Sequence, residues 1–228
     1  MHVEIWSDIA CPWCYIGKRR FEAALASFDQ RDDVRVTWCS FELDPDAPPE
    51  REGDRAAHLA EKYGTTRKQA LTMQDTMRDV AAGEGLDFRF DRARSGNTFD
   101  AHRLIHHAAR HDLQDAIKER LLRAYLSEGE LMSDRAVLAR LASEVGVAAD
   151  EARDVLAGDR YAAEVRQDER TAVSLGITAV PFFVVDRQLG AAGAHPPEVL
   201  RGLLEQGWSR RSPLSAVAQG ESCGVDGC

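Results

Sequence analysis

The sequence predicts an α/β domain split by a large all-helical insertion. Strand-forming residues cluster at the two ends of the chain, over Val3–Ser7 and Val34–Phe41 and again over Ala179–Gly193. Between them, from about Arg55 to Val173, apolar residues recur at helical spacing. A C-x-x-C pair, Cys11 and Cys14, follows the first strand directly. The order is therefore β-α-β, a helical block, then β-β-α.

Each element has its own signal. Val3–Ser7 (VEIWS) is rich in strand formers. Pro12 suits the first position of a helix, where its missing N–H costs nothing. Ile16, Phe21, Leu25 and Phe28 then recur at helical spacing, with Lys18, Arg19, Arg20 and Glu22 among them. Val34–Phe41 alternates as a second strand, and the intervening helix makes it parallel to the first. Asp44–Gly53, with three prolines, is a loop and a domain boundary. Leu59, Tyr63, Ala70, Met73, Met77 and Val80 mark one or two helices, and Leu86–Phe90 carries a weak strand signal. Thr98–Tyr125 is expected as one helix, followed by helices over Ser133–Val145 and Asp150–Leu156 with Ser133 and Asp150 as N-caps, and by Asp159–Leu175. Ala179–Asp186 and Leu189–Gly193 restore β character, and Pro196–Trp208 closes the fold as a helix. Residues 209–228, rich in Ser, Gly and Ala, are expected as a flexible tail carrying a C-x4-C pair, Cys223 and Cys228.

Composition narrows the functions. With 228 residues the chain can bury a core without disulfide staples. Its 29 basic and 38 acidic residues give a formal net charge of -9, which excludes the basic footprint of a nucleic-acid binder and disfavours anionic membranes. No apolar run is long enough to span a bilayer, and the first ten residues do not resemble a signal peptide. A cytoplasmic location is therefore expected. In a reducing compartment the five cysteines point to catalysis or metal binding before structural disulfides.

Redox chemistry needs one thiol ionised near neutral pH. A helix N-terminus supplies this, because its free N–H groups and dipole favour an anion. Cys11 is placed to attack a substrate and Cys14, one turn in, to resolve the mixed disulfide. Pro12 and Trp13 tune the pair, with Trp13 exposed as a substrate contact and Tyr15 packed. Asp8 is expected to raise the thiol pKa if it lies close, making the centre less oxidising than one with a histidine between the cysteines. Pro181 opens a hydrophobic strand, a place that favours a cis bond. A cis-proline beside the first helix would leave the Val180 backbone free to pair with an extended substrate, and would bar a stray metal from the thiols.

The segments Asp8–Gly17 (DIACPWCYIG), Asn97–Leu104 (NTFDAHRL), Gly176–Asp186 (GITAVPFFVVD) and Gly193–Leu200 (GAHPPEVL) resemble the DsbA-like branch of the thioredoxin superfamily. Within that branch the chain is most similar to the FrnE type, over residues 1 to about 208. The resemblance implies a thioredoxin fold with a helical insertion. Residues 1–50 and 176–208 would form the thioredoxin-like domain and 51–175 the inserted helical domain. It also implies a Cys11/Cys14 active site, a cis bond at Pro181, and disulfide oxidoreductase or isomerase activity. FrnE-type proteins can carry a second C-x4-C pair, matched here by Cys223 and Cys228. On a flexible linker this pair could serve as an auxiliary redox relay. Asn97 and His102, within the matching segment, are candidates to line the substrate groove, or else capping and packing residues.

Expected partners are protein or small thiol and disulfide substrates, with glutathione among them. No cofactor, metal, nucleic acid or membrane is expected, and the chain would be a monomer or weak dimer. Two alternatives stand beside this. A glutathione-dependent transferase or isomerase of the kappa-class type shares the insertion architecture but replaces the dithiol with a lone serine or similar residue. A zinc-binding module would use the two cysteine pairs as four thiolates. Cys39, between Trp38 and Ser40, reads as a buried small hydrophobe. His102, His106, His107 and His111 include i, i+4 pairs on one helix, but the sequence shows no third metal ligand.

Overall fold

A computed structural model describes residues 1–211. Cys223 and Cys228, with residues 212–228 of the expected tail, lie outside the described residues, and the last helix takes in Ser209. The first half of the α/β unit is β1 (His2–Ser7), α1 (Pro12–Ala26) and β2 (Arg35–Ser40). The second half is β3 (Phe182–Val185), β4 (Leu189–Ala192) and α9 (Pro197–Ser209). The sheet order is β2-β1-β3-β4. β1 runs parallel to β2 in the register Val3↔Val36, Ile5↔Trp38, as a helical crossover requires. It runs antiparallel to β3 in the register Val3↔Val185, Ile5↔Phe183.

The period of two along the strands divides the core. Val3, Ile5, Phe183 and Val185 join α1 and α9 in the main core, where Phe21 stacks on Phe183 with centroids 5.5 Å apart. Trp6, Cys39 and Val184 face the other way and pack with Ala172 and Ile177. Strands buried on both faces read as nearly continuous apolar runs, as VEIWS and PFFVV do.

Between the halves lie α2 (Arg55–Lys62), α3 (Arg67–Gly83), α4 (Phe99–Ala109), α5 (Gln114–Arg123), α6 (Arg135–Glu144), α7 (Ala149–Ala157) and α8 (Ala162–Ser174). Four local expectations are corrected. Thr98–Tyr125 is not one helix: α4 stops at Arg110, and Asp112 takes a left-handed φ of 58°, which breaks the run before α5. A wide turn over Ala124–Glu128 then ends at Gly129, φ 80°. The cap of α6 is Asp134, which accepts from Ala136 N and Val137 N, while Ser133 donates to the Pro49 carbonyl. Asp150 sits inside the first turn of α7, where its charge complements the helix dipole, and Ala148 occupies the cap position. Leu86–Phe90 forms no strand: Arg89 N donates to Leu126 O at 2.7 Å and Phe88 and Phe90 fill the core. Among the described residues, no helix is long and apolar enough to cross a membrane.

Candidate active site

Cys11 occupies the N-cap of α1 with φ -93° and ψ 112°, and no side chain caps the helix there. The first N–H groups of α1 are thus left for the Cys11 sulfur. The Cys14 thiol, one turn further on, hydrogen-bonds to that sulfur and is the largest influence lowering the Cys11 pKa below the ordinary thiol value. Burial opposes this, and the backbone N–H groups of Cys14 and Trp13 assist it. Asp8 acts in the expected direction, raising the pKa, but is outweighed. Cys14 moves the opposite way: burial pushes its thiol well up, and its bond to Cys11 keeps its proton in place. Opposite shifts in neighbouring thiols match one nucleophile and one group that reacts second.

The second half of the molecule closes over this helix end. The Val180–Pro181 peptide is cis, and the Cys11 thiol faces the Val180 carbonyl at 3.6 Å. Gly17 of α1 permits this approach. A Cβ there would stand 2.8 Å from Pro181 Cγ. Gly17→Ala is therefore expected to destabilise the fold by roughly 1–3 kcal/mol through overpacking. A urea midpoint equal to that of the parent chain would show instead that the two segments give way.

Beneath the pair lies a buried polar group that sequence reasoning only partly anticipated. Asp8 is 1% exposed and accepts from Leu43 N at 2.8 Å and Ala10 N at 3.2 Å. Burial raises its pKa, but His102 and these two N–H groups outweigh that and hold the carboxyl below the usual range. His102 Nε2 lies 3.4 Å from Asp8 Oδ1, and burial lowers the imidazole pKa, which keeps the ring neutral. Lys118 of α5 is 1% exposed and donates to the Ser7 carbonyl at 3.3 Å. Burial brings its pKa from 10.5 down to about 8, with the charges of Cys14, Asp8 and Cys11 pulling the other way. Lys118 was missed because it reads as one charge among many in α5. Its signal is positional: it shares a face with Leu121 and Leu122, three and four residues on, both buried.

A cavity of about 210 Å³ opens beside Cys11. Cys11, Pro12 and Trp13 form one side of it, and Arg55, Lys62 and Met73 belong to the other. Cys14 does not line it. Trp13 is 39% exposed and Tyr15 2%. Asn97 and His102 do not line this cavity. Asn97 Oδ1 accepts from Phe99 N at 2.9 Å, capping α4, and its Nδ2 donates to Pro45 O at 3.3 Å. His102 is buried and cannot face a substrate; it supports Asp8. Cys39 is buried in the core, which pushes its thiol pKa well up. The structure thus brings together Cys11, Pro12, Trp13, Cys14, Val180 and Pro181, and leaves Asn97 and His102 in supporting positions.

The family model described as DSBA-like thioredoxin domain matches residues 2–205. The Bacillus subtilis (strain 168) protein named "Uncharacterized protein YwbO" is 28% identical over 197 residues, covering 85% of this chain and 92% of that protein. The crystal structure of a probable DsbA oxidoreductase, SCO1869 from Streptomyces coelicolor, is 46% identical with a TM-score of 0.90, covering 100% of this chain and 98% of that one. The cytosolic disulfide reductase DsbM from Pseudomonas aeruginosa is 19% identical with a TM-score of 0.64, covering 92% of this chain and 100% of that one, and so shares the fold.

Proposed function

Since the chain belongs to the DsbA-like thioredoxin-domain family of thiol–disulfide oxidoreductases and isomerases, we propose that Cys11 and Cys14 are its redox pair and that it acts on protein disulfides. One observation carries this reading. Cys11 sits at an uncapped helix N-terminus on the wall of a cavity, and Cys14 is buried one turn behind it.

The Cys11 thiolate attacks one sulfur of the substrate disulfide. A mixed disulfide forms and the other substrate sulfur leaves as a thiolate. Cys14 then gives up its proton and attacks Cys11 Sγ, closing the Cys11–Cys14 disulfide and releasing the second substrate thiolate. The substrate gains two electrons and the enzyme pair loses them. Two equivalents of a small thiol restore the pair by two exchanges and leave as their own disulfide, and the cationic Arg55 and Lys62 on the cavity wall suit an acidic thiol such as glutathione. The Val180 backbone, beside the Cys11 thiol, is placed to meet an extended substrate. Retention of both cysteines favours this reading over a kappa-class transferase.

We assign the chain to the FrnE type, working in the cytoplasm as a reductase or isomerase, on its paired C-x-x-C and C-x4-C motifs. Cys223 and Cys228 serve in this reading as an auxiliary pair. The test is equilibration with glutathione buffers, reading the Cys11–Cys14 pair by mass after acid quench. A couple between roughly -200 and -300 mV is expected. A pair that never oxidises, or a Cys11 alkylated no faster than Cys39, would overturn the assignment.

A further inference from the structure

Three histidines of α4, with His111 in the turn that follows it, separate into distinct environments. His102 meets Asp8, and His106 Nε2 lies 3.0 Å from Asp168 Oδ2. His107 and His111 turn away from the thiol site toward α7. There both Nε2 atoms converge on one carboxylate oxygen, Glu151 Oε2, each at 3.3 Å. The three ligand atoms all lie within 4.8 Å of one another. The third ligand that the sequence of α4 lacks is thus supplied by the first turn of another helix.

We propose that His107, His111 and Glu151 form a binding site for a divalent transition-metal ion of the zinc class. A tetrahedral zinc ion with bonds of about 2.0–2.1 Å holds its ligand atoms about 3.3 Å apart, the spacing of both histidines from Glu151. His107 is 5% exposed, and its Nε2 is buried with no hydrogen bond. Such an atom is costly unless a partner meets it. Its other ring nitrogen, Nδ1, faces the Tyr161 hydroxyl at 3.3 Å. The hydroxyl there is placed to accept from an Nδ1–H, the tautomer that a ligating Nε2 needs, as an outer partner does for a metal-bound imidazole. Two imidazole nitrogens and one carboxylate oxygen suit zinc better than calcium or magnesium, which take oxygen ligands. His111 and Glu151 are partly exposed, at 43% and 50%, so solvent reaches the fourth position. The ion would tie α4 to α7, which Arg103 of α4 already joins through its bond to Gly158 O at 2.6 Å.

The experiment is zinc titration of the full chain by calorimetry, after reduction and alkylation with iodoacetamide so that no accessible thiolate competes. One equivalent of zinc per chain is expected, with affinity at least tenfold weaker in His111→Ala and in Glu151→Gln. Both substitutions fall on half-exposed side chains, so the variants should fold, which their far-ultraviolet dichroism checks. Zinc should also raise the melting temperature of the parent chain and not of the variants. No uptake by the parent chain, or equal uptake by both variants, would reject the site.

Discussion

Cys14→Ser is expected to accumulate as a covalent adduct with its substrates, whereas Cys11→Ser forms none. Both variants should lose multiple-turnover disulfide reduction by at least about a thousandfold, because exchange passes through both sulfurs. The difference between them is the informative part. Only Cys11 lines the cavity, so an incoming disulfide meets its sulfur first. Cys14, 1% exposed, reaches a substrate only through Cys11. With serine at position 14 the mixed disulfide has no internal route to resolution. Non-reducing electrophoresis followed by mass analysis checks this. Adducts on Cys14 in the Cys11→Ser variant would reverse the two roles.

Lys118→Met is expected to make the protein more stable and the enzyme slower. A lysine whose pKa falls from 10.5 to about 8 on folding carries about 3 kcal/mol of unfavourable burial when charged. The unfolded chain holds the proton up to the ordinary lysine pKa, and the folded chain releases it near 8. Between those values the unfolded state binds more protons, so this group makes stability rise with pH. Below about pH 8 the full cost is present. At pH 7 methionine should therefore recover about 1–3 kcal/mol, less the lost bond to the Ser7 carbonyl, and the gain should shrink above pH 8. The cation also lowers the Cys14 pKa. Without it, resolution of the mixed disulfide should move to more alkaline pH and slow several-fold at pH 7. Urea unfolding across pH 7–10 and stopped-flow resolution against pH measure both effects. A variant equally fast with an unshifted profile would leave Lys118 a purely structural group.

Both halves of the sheet were legible because their physics is local. VEIWS and PFFVV announce strands buried on both faces by their density of strand-forming apolar residues, and Cys11 before Pro12 announces a helix start. The break at Asp112 was not legible, since a left-handed aspartate costs little and leaves the apolar spacing of Ile105, Leu113 and Ile117 intact. Lys118 and Glu151 were hidden for a different reason. Each looks like a surface charge in its own helix, and only the packing of α5 against β2, or of α7 against α4, reveals what it meets. His102 shows the converse case. The sequence offers it as a groove-lining or a packing residue, and only the fold brings it to Asp8, ninety-four residues away in the chain.

The pairing of β1 with both β2 and β3 has a consequence for the newly made chain. Val3 must wait for Val185 before its second edge is covered. At roughly 5–20 residues per second, synthesis of the stretch between Ser40 and Phe182 takes on the order of ten seconds. Throughout that time the nascent chain carries Cys11 and Cys14 without the Val180 wall and without the strand that pairs with β1 on its second edge. A ribosome-bound intermediate of this protein therefore presents unguarded thiols to its neighbours, and the helical block sets how long that exposure lasts.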